Sequence, residues 1–325
     1  MIEPFIKQKG LFIFSDPGGA KGILSLAKTL KEKGAQEQFI YSDRVYDFYS
    51  DFHLSVDSAT STEIGNVIEQ IQPDFIFTGT SYTSSIEIES IRCAREKDIK
   101  SYSFVDHWTN LKNRFVLNGT PYYPDEIWLI DERAANIAEQ EGIPKDIIRI
   151  SDNFYYTFLK TWQPYLSKHE LLEKLLIPAP SNSKLILYAP EPISNIGGVE
   201  KFGFDETTVL QVLIESLNQC TTPNFLLIKP HPNQKRAFTE VLAAANRAST
   251  TYKLLGQTNT NDLIYFSDCI IGISSNLLIE ASLMGKKIIR FFPPNYSDPL
   301  SHLHFGKKVG NQEELLNAIE ALLLA

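Results

Sequence analysis

Two α/β domains in tandem, each a parallel sheet covered by helices on both faces, are predicted by three features of this chain. Short apolar runs alternate with helical patterns along most of its length, which is βαβ punctuation. The alternation breaks between Asn153 and Ser183, where an aromatic stretch, a helical pattern and a Pro-Ala-Pro run intervene, and then restarts. The length of 325 residues suits two domains of ordinary size. The expected division is residues 1–165 and 166–325.

In the first half, Leu11 to Phe14 reads as a strand, followed by the loop Asp16-Pro17-Gly18-Gly19-Ala20 and a helix through Leu30. Phe75 to Phe77 is the next clear strand, and Ile86 to Lys97 is helical. Tyr102 to Val105 is a strand that ends at Asp106-His107. Glu126 to Ile130 is a strand, with a helix from Asp131 to Glu141. The second half begins with a strand at Leu185 to Tyr188 and a helix from Glu206 to Leu217. Phe225 to Ile228 runs into Lys229-Pro230-His231-Pro232. A helix over Ala237 to Ala248 and a short strand at Tyr252 to Leu255 follow. Cys269 to Ile273 runs into Ser274-Ser275 and a helix to Met284. Lys287 to Phe291 is the last clear strand, and Glu313 to Leu324 a closing helix. Two Rossmann-like halves with a cleft between them fit this order.

Composition narrows the function. Hydrophobic residues make up 43%, enough for two cores, and the net charge is -8, which disfavours nucleic acid as a partner. Cys93, Cys220 and Cys269 are scattered and lack metal-ligand spacing, so free thiols in a reducing compartment are expected. No signal-peptide pattern and no run of about 20 apolar residues is present. A soluble, cytoplasmic protein is expected, with peripheral association at the inner face of the membrane left open.

Four segments carry candidate chemistry, all where a strand ends and ligands bind in open α/β sheets. Lys229 and His231 supply a cation and an imidazole, with Pro232 beside them. Ser274 and Ser275 open a helix, and Glu280 lies about a turn and a half further on, where it can accept hydrogen bonds from ribose hydroxyls or serve only as a solvated or capping carboxylate. Together they read as a nucleotide phosphate site. Gly18 and Gly19 let backbone approach a ligand, with Asp16 as a possible carboxylate base; the alternative is a tight βα turn with Asp16 near the cap. Asp106 and His107 are general-base candidates, and Trp108 either shields Asp106 or plugs a turn. The order of preference for the base is Asp106, Asp16, His107. Ser194, in the loop Glu191 to Gly198, either touches phosphate or belongs to a mobile loop. No metal cluster, Gly-x-x-x-x-Gly-Lys-Ser/Thr loop or Gly-x-Ser-x-Gly elbow occurs. No cofactor and no metal is expected.

Over its last hundred or so residues the chain resembles the GT-B glycosyltransferase superfamily. The resemblance rests on Lys229-Pro230-His231-Pro232, Asn261-Asp262-Leu263-Ile264, Ser274 to Ala281 and Gly285-Lys286-Lys287. That order is similar to the His-Pro and Ser-Ser motifs of bacterial sialyltransferases and capsule enzymes using CMP-activated sugars. It is also similar to CDP-glycerol polymerases and UDP-N-acetylglucosamine 2-epimerases. The resemblance implies a metal-independent glycosyltransferase of surface polysaccharide synthesis, with a nucleotide-sugar donor, CMP-linked sugars being one option, and a glycan or lipid-linked acceptor. It places His231, Ser274 and Ser275 at the donor phosphate and the base in the N-terminal domain. The acidic-acidic-Gly triplet of the sialyltransferase base does not occur in this chain. The alternatives are a nucleotide-sugar 2-epimerase of the same fold and a non-catalytic nucleotide- or glycan-binding protein.

Overall fold

A computed structural model describes the chain except residues 1, 179–181, 232–233, 236, 246–250, 257, 294–295 and 325. The chain forms two compact units, Met1–Phe158 and Leu159–Ala325.

Unit 1 is built on a seven-stranded parallel sheet. Its strands are β1 (Gly10–Phe14), β2 (Gln38–Ser42), β3 (Asp57–Ser58), β4 (Phe75–Thr78), β5 (Lys100–Val105), β8 (Glu126–Leu129) and β9 (Ile148–Ile150), and a small hairpin of β6 (Val116–Leu117) and β7 (Thr120–Pro121) lies between β5 and β8. The order is β3-β2-β1-β4-β5-β8-β9. Helices α1 (Pro17–Glu32), α2 (Ile64–Ile71), α3 (Ile86–Glu96) and α4 (Glu132–Gln140) cross between strands. β1 and β4 are buried along their whole length, as both-face coverage of a parallel sheet requires. An aromatic layer of Phe5, Phe12, Phe75, Phe77, Tyr102 and Trp128 packs one side of it, with Phe12 and Phe77 stacked at 6.5 Å.

Unit 2 repeats the plan. Helix α5 (Phe154–Leu159) closes unit 1 and reaches the boundary, and α6 (Lys168–Lys174) leads into β10 (Lys184–Ala189). Next come α7 (Gly198–Phe202), α8 (Glu206–Gln219), β11 (Asn224–Ile228), α9 (Thr239–Ala245), β12 (Thr251–Leu254) and α10 (Thr260–Phe266). The unit closes with β13 (Cys269–Gly272), α11 (Asn276–Leu283), β14 (Ile288–Phe291), β15 (Lys307–Val309) and α12 (Gln312–Leu324). The sheet order is β12-β11-β10-β13-β14-β15, all parallel. Core clusters lie on both of its faces, one around Leu210, Leu213 and Ile319, the other around Leu263, Leu278 and Ala281.

Each sheet thus starts at its centre, runs outward, and returns to continue the other way. The direction reverses between β1 and β4 in unit 1 and between β10 and β13 in unit 2. Two doubly wound, Rossmann-like units are therefore present, and in each the crevice at that reversal is where such sheets bind ligands.

Candidate functional site

In unit 1, the β1–α1 turn is shaped by its glycines. A Cβ on Gly18 would sit 1.9 Å from Asp106 Oδ2, and one on Gly19 would sit 3.2 Å from Thr80 N and from Gly79 Cα. Glycine therefore lets the Asp106 carboxylate and the β4 loop close onto the first turn of α1. That seat lies at the positive end of a 16-residue helix. Asp16, on the same turn, makes no capping bond with its side chain. Its carboxylate accepts the Thr83 hydroxyl at 3.0 Å and lies 3.7 Å from the Arg44 guanidinium.

His107 is half-buried, and its Nδ1 lies 3.0 Å from Thr109 Oγ1. Burial lowers its pKa below the usual histidine value; Asp106 opposes that shift and Arg114 reinforces it, so the ring is held neutral. Trp108 is held from the α4 side. Its indole N–H donates to Asp131 Oδ2 at 2.8 Å, on the residue whose other oxygen caps α4. Arg114 is buried, donates to Thr80 Oγ1 at 3.1 Å and stacks 4.5 Å from the Tyr82 ring, tying the β5 loop to the β4 loop.

Sequence reasoning missed one group here. Glu87, in the first turn of α3, is 2% exposed, and neither carboxylate oxygen has a partner. Burial drives its pKa up to about 8, with Asp16 and Asp43 adding repulsion. Ile86-Glu87-Ile88-Glu89 carries no signal that separates this buried acid from Glu89, which is partly exposed and pairs with Arg92.

In unit 2, β11 delivers Lys229 and His231 as expected, but Lys229 Nζ donates to Gly256 O at 2.7 Å. His231 is partly buried, which lowers its pKa. It forms a wall of a cavity of about 580 Å³ together with Phe238, Leu242, Tyr252 and Leu254. Pro232 lies outside the described residues. Ser275 caps α11, its hydroxyl accepting from Leu277 N at 3.3 Å. Glu280 is 8% exposed on that helix, a buried rather than a solvated carboxylate. Ser194 is spoken for: its hydroxyl and its amide both donate to Glu206, which is wholly buried and also accepts from Gln234 at 2.8 Å.

The residue that sequence reasoning left unassigned in this loop is Glu191. It spans the crevice from the β10 side and accepts the backbone N–H of Ser274 with Oε1. Burial lifts its pKa to about 7, against the pull of backbone N–H groups at Ser274, Glu191 itself and Ile273. The far side of the crevice is fixed by Arg290, fully buried, which donates to Ile273 O at 3.1 Å and pairs with Asp298. Among the described residues, no group of three or more His, Cys, Asp or Glu side chains is placed to hold a metal ion. No helix among them is long and apolar enough to cross a membrane.

No family model matches this chain, and no curated protein matches it. Solved structures do. A putative UDP-N-acetylglucosamine 2-epimerase from Listeria monocytogenes superposes with a TM-score of 0.70 at 17% identity, covering 98% of this chain and 88% of that one. UDP-GlcNAc 2-epimerase from Methanocaldococcus jannaschii gives 0.67 at 13% identity, covering 97% and 93%. Anabaena Alr3699/HepE in complex with UDP-glucose gives 0.59 at 14%, covering 96% and 89%. At these identities the likeness establishes the fold, a GT-B-like pair of Rossmann units. It also corrects the expected enzyme class: the Listeria and Methanocaldococcus structures are named as 2-epimerases, not as glycosyltransferases.

Proposed function

We propose that this protein is a nucleotide-sugar 2-epimerase acting on a UDP-linked 2-acetamido sugar. The observation that carries the proposal is the Asp106 carboxylate, seated on the first turn of α1 at the sheet reversal of unit 1. The named activities of the structural neighbours support the same reading.

Inverting C2 of a sugar breaks a C–H bond on one face and remakes it on the other; the electron pair of the broken bond expels the phosphate from C1, and the phosphate adds back at C1 as the proton returns. The work needs a base that is ionised at neutral pH, an acid that can return a proton, and a counter-charge for the phosphate. Asp106 is the base: it sits on the first turn of α1, where Gly18 leaves its carboxylate room. Asp16 and neutral His107 are the further acid/base groups of unit 1. Unit 2 holds the nucleotide. His231 donates a ring N–H to phosphate, and the helix opened by Ser274 and Ser275 presents its positive end. Glu280 serves the ribose from the same helix. No acceptor molecule takes part.

The test is an acceptor-free incubation of UDP-GlcNAc, followed by separation of the sugar nucleotides. Conversion to UDP-ManNAc with total UDP-sugar conserved supports the reading. Release of UDP with free sugar, or an unchanged substrate at high enzyme concentration, defeats it.

A further inference from the structure

We propose that Glu191 is a direct ligand-binding group of unit 2, meeting the phosphate of the nucleotide sugar as a neutral carboxylic acid and taking up one proton as the ligand binds. The inference rests on the nucleotide reading of unit 2 and adds to it a residue that the motifs did not assign.

Glu191 and Ser274 stand at the ends of β10 and β13, the two strands between which the sheet order reverses. Glu191 Oε1 accepts the Ser274 amide, so a carboxylate already occupies the turn that opens α11. The other oxygen, Oε2, is buried with no hydrogen-bond partner. Among the described residues no lysine, arginine or histidine forms an ion pair with Glu191. The titratable groups that face it are the Tyr188 and Tyr296 hydroxyls, and Tyr296 also bonds Ser274. Glu206 and Asp205 lie beyond Tyr188 and add only negative charge.

A phosphate entering this turn meets a carboxylate at close range in a part-buried site. Two anions that close repel strongly there. Protonation removes the conflict and uses every atom. Oε1 keeps the Ser274 N–H, and Oε2 gains a hydrogen to donate to a phosphate oxygen. The proton comes from solvent and is released again with the ligand. The upward shift of the Glu191 pKa makes this uptake accessible near neutrality.

The experiment is calorimetric titration of the full chain with UDP-GlcNAc, whose diphosphate does not itself titrate near neutrality, at pH 8 in two buffers of different ionisation enthalpy. Wild type is expected to take up roughly 0.9 proton per ligand at pH 8, and its affinity to fall roughly tenfold from pH 7.5 to pH 8.5. Glu191→Gln, which keeps the shape and the Ser274 bond, is expected to take up none and to bind with less than about a twofold change over that range, more tightly than wild type at pH 8.5. A thermal melt of Glu191→Gln at pH 8, no lower than that of wild type, shows that the variant is folded. Absent uptake in wild type, or uptake that persists in Glu191→Gln, overturns the proposal while leaving the nucleotide reading in place. Failure of both folded proteins to bind UDP-GlcNAc at any of these pH values removes the nucleotide reading, and this inference with it.

Discussion

Glu87→Gln is expected to stabilise unit 1 at pH 8 and to leave its stability at pH 4 nearly unchanged. The carboxyl is 2% exposed, and neither oxygen has a partner. Its pKa is about 8 in the folded protein, against an ordinary value of 4.5 that the unfolded chain retains. Below pH 4.5 both states carry the proton, and Glu87 behaves like its amide isostere. Between the two values the unfolded chain ionises and the folded one does not, so folding loses about 1.4 kcal/mol per pH unit. Through the whole window the loss is on the order of 3–5 kcal/mol, and it is constant above pH 8. Glutamine does not ionise and escapes it. At the usual entropy of unfolding for a domain of this size, the difference raises Tm by on the order of 10 °C at pH 8. Differential scanning calorimetry of both proteins at the two pH values measures it directly. A variant less stable than wild type by the same amount at both pH values refutes the reasoning, because it means Glu87 is ionised and held by partners.

The other predictions concern the candidate site. Asp106→Asn should lower turnover by about 10²–10⁴-fold while leaving UDP affinity nearly unchanged, as loss of a general base in unit 1 would; full turnover at saturating substrate passes the role to Asp16 or His107. Gly18→Ala places a methyl group 1.9 Å from Asp106 Oδ2, so it should displace the carboxylate and impair turnover far more than it lowers Tm. A large fall in Tm with turnover per folded molecule intact would show that the glycine serves packing alone. His231→Ala should weaken UDP binding by about 1.5–3 kcal/mol, the worth of a hydrogen bond to a charged group, and calorimetry on the folded variant reads it. Activity should persist in excess EDTA; its loss, with recovery on adding magnesium or manganese, would contradict the expectation from the sequence that no metal is needed.

Much of the architecture was legible because parallel strands buried on both faces read as unbroken apolar runs. Phe225 to Ile228 and Cys269 to Ile271 are of this kind, and both are strands. β2 was not legible. Gln38-Phe39-Ile40-Tyr41-Ser42 is only partly covered, so its polar ends hide it. Helix α2 escaped for the opposite reason: it is short, buries only Ile64 and Ile68, and has no side-chain cap at its start. At the site, residues at strand ends were found because strand ends are visible in sequence. What those side chains do was less accessible. Trp108 is adjacent to Asp106 in the chain, but its indole binds Asp131, which comes close only through the fold. Ser194 looked like a free hydroxyl because its partner, Glu206, lies beyond the next turn at the start of α8. Glu87 and Glu191 take their character from burial, and burial of a carboxylate is set by neighbours that local pattern does not reveal.

Epimerisation without an acceptor is proton chemistry at C2. NMR of UDP-GlcNAc incubated with the protein in D₂O tests it most directly. Deuterium should appear at C2 as UDP-ManNAc forms, and Asp106→Asn should slow both by the same factor. Protium retained at C2 in the presence of active wild-type protein, or deuterium incorporation undiminished in Asp106→Asn, would contradict it.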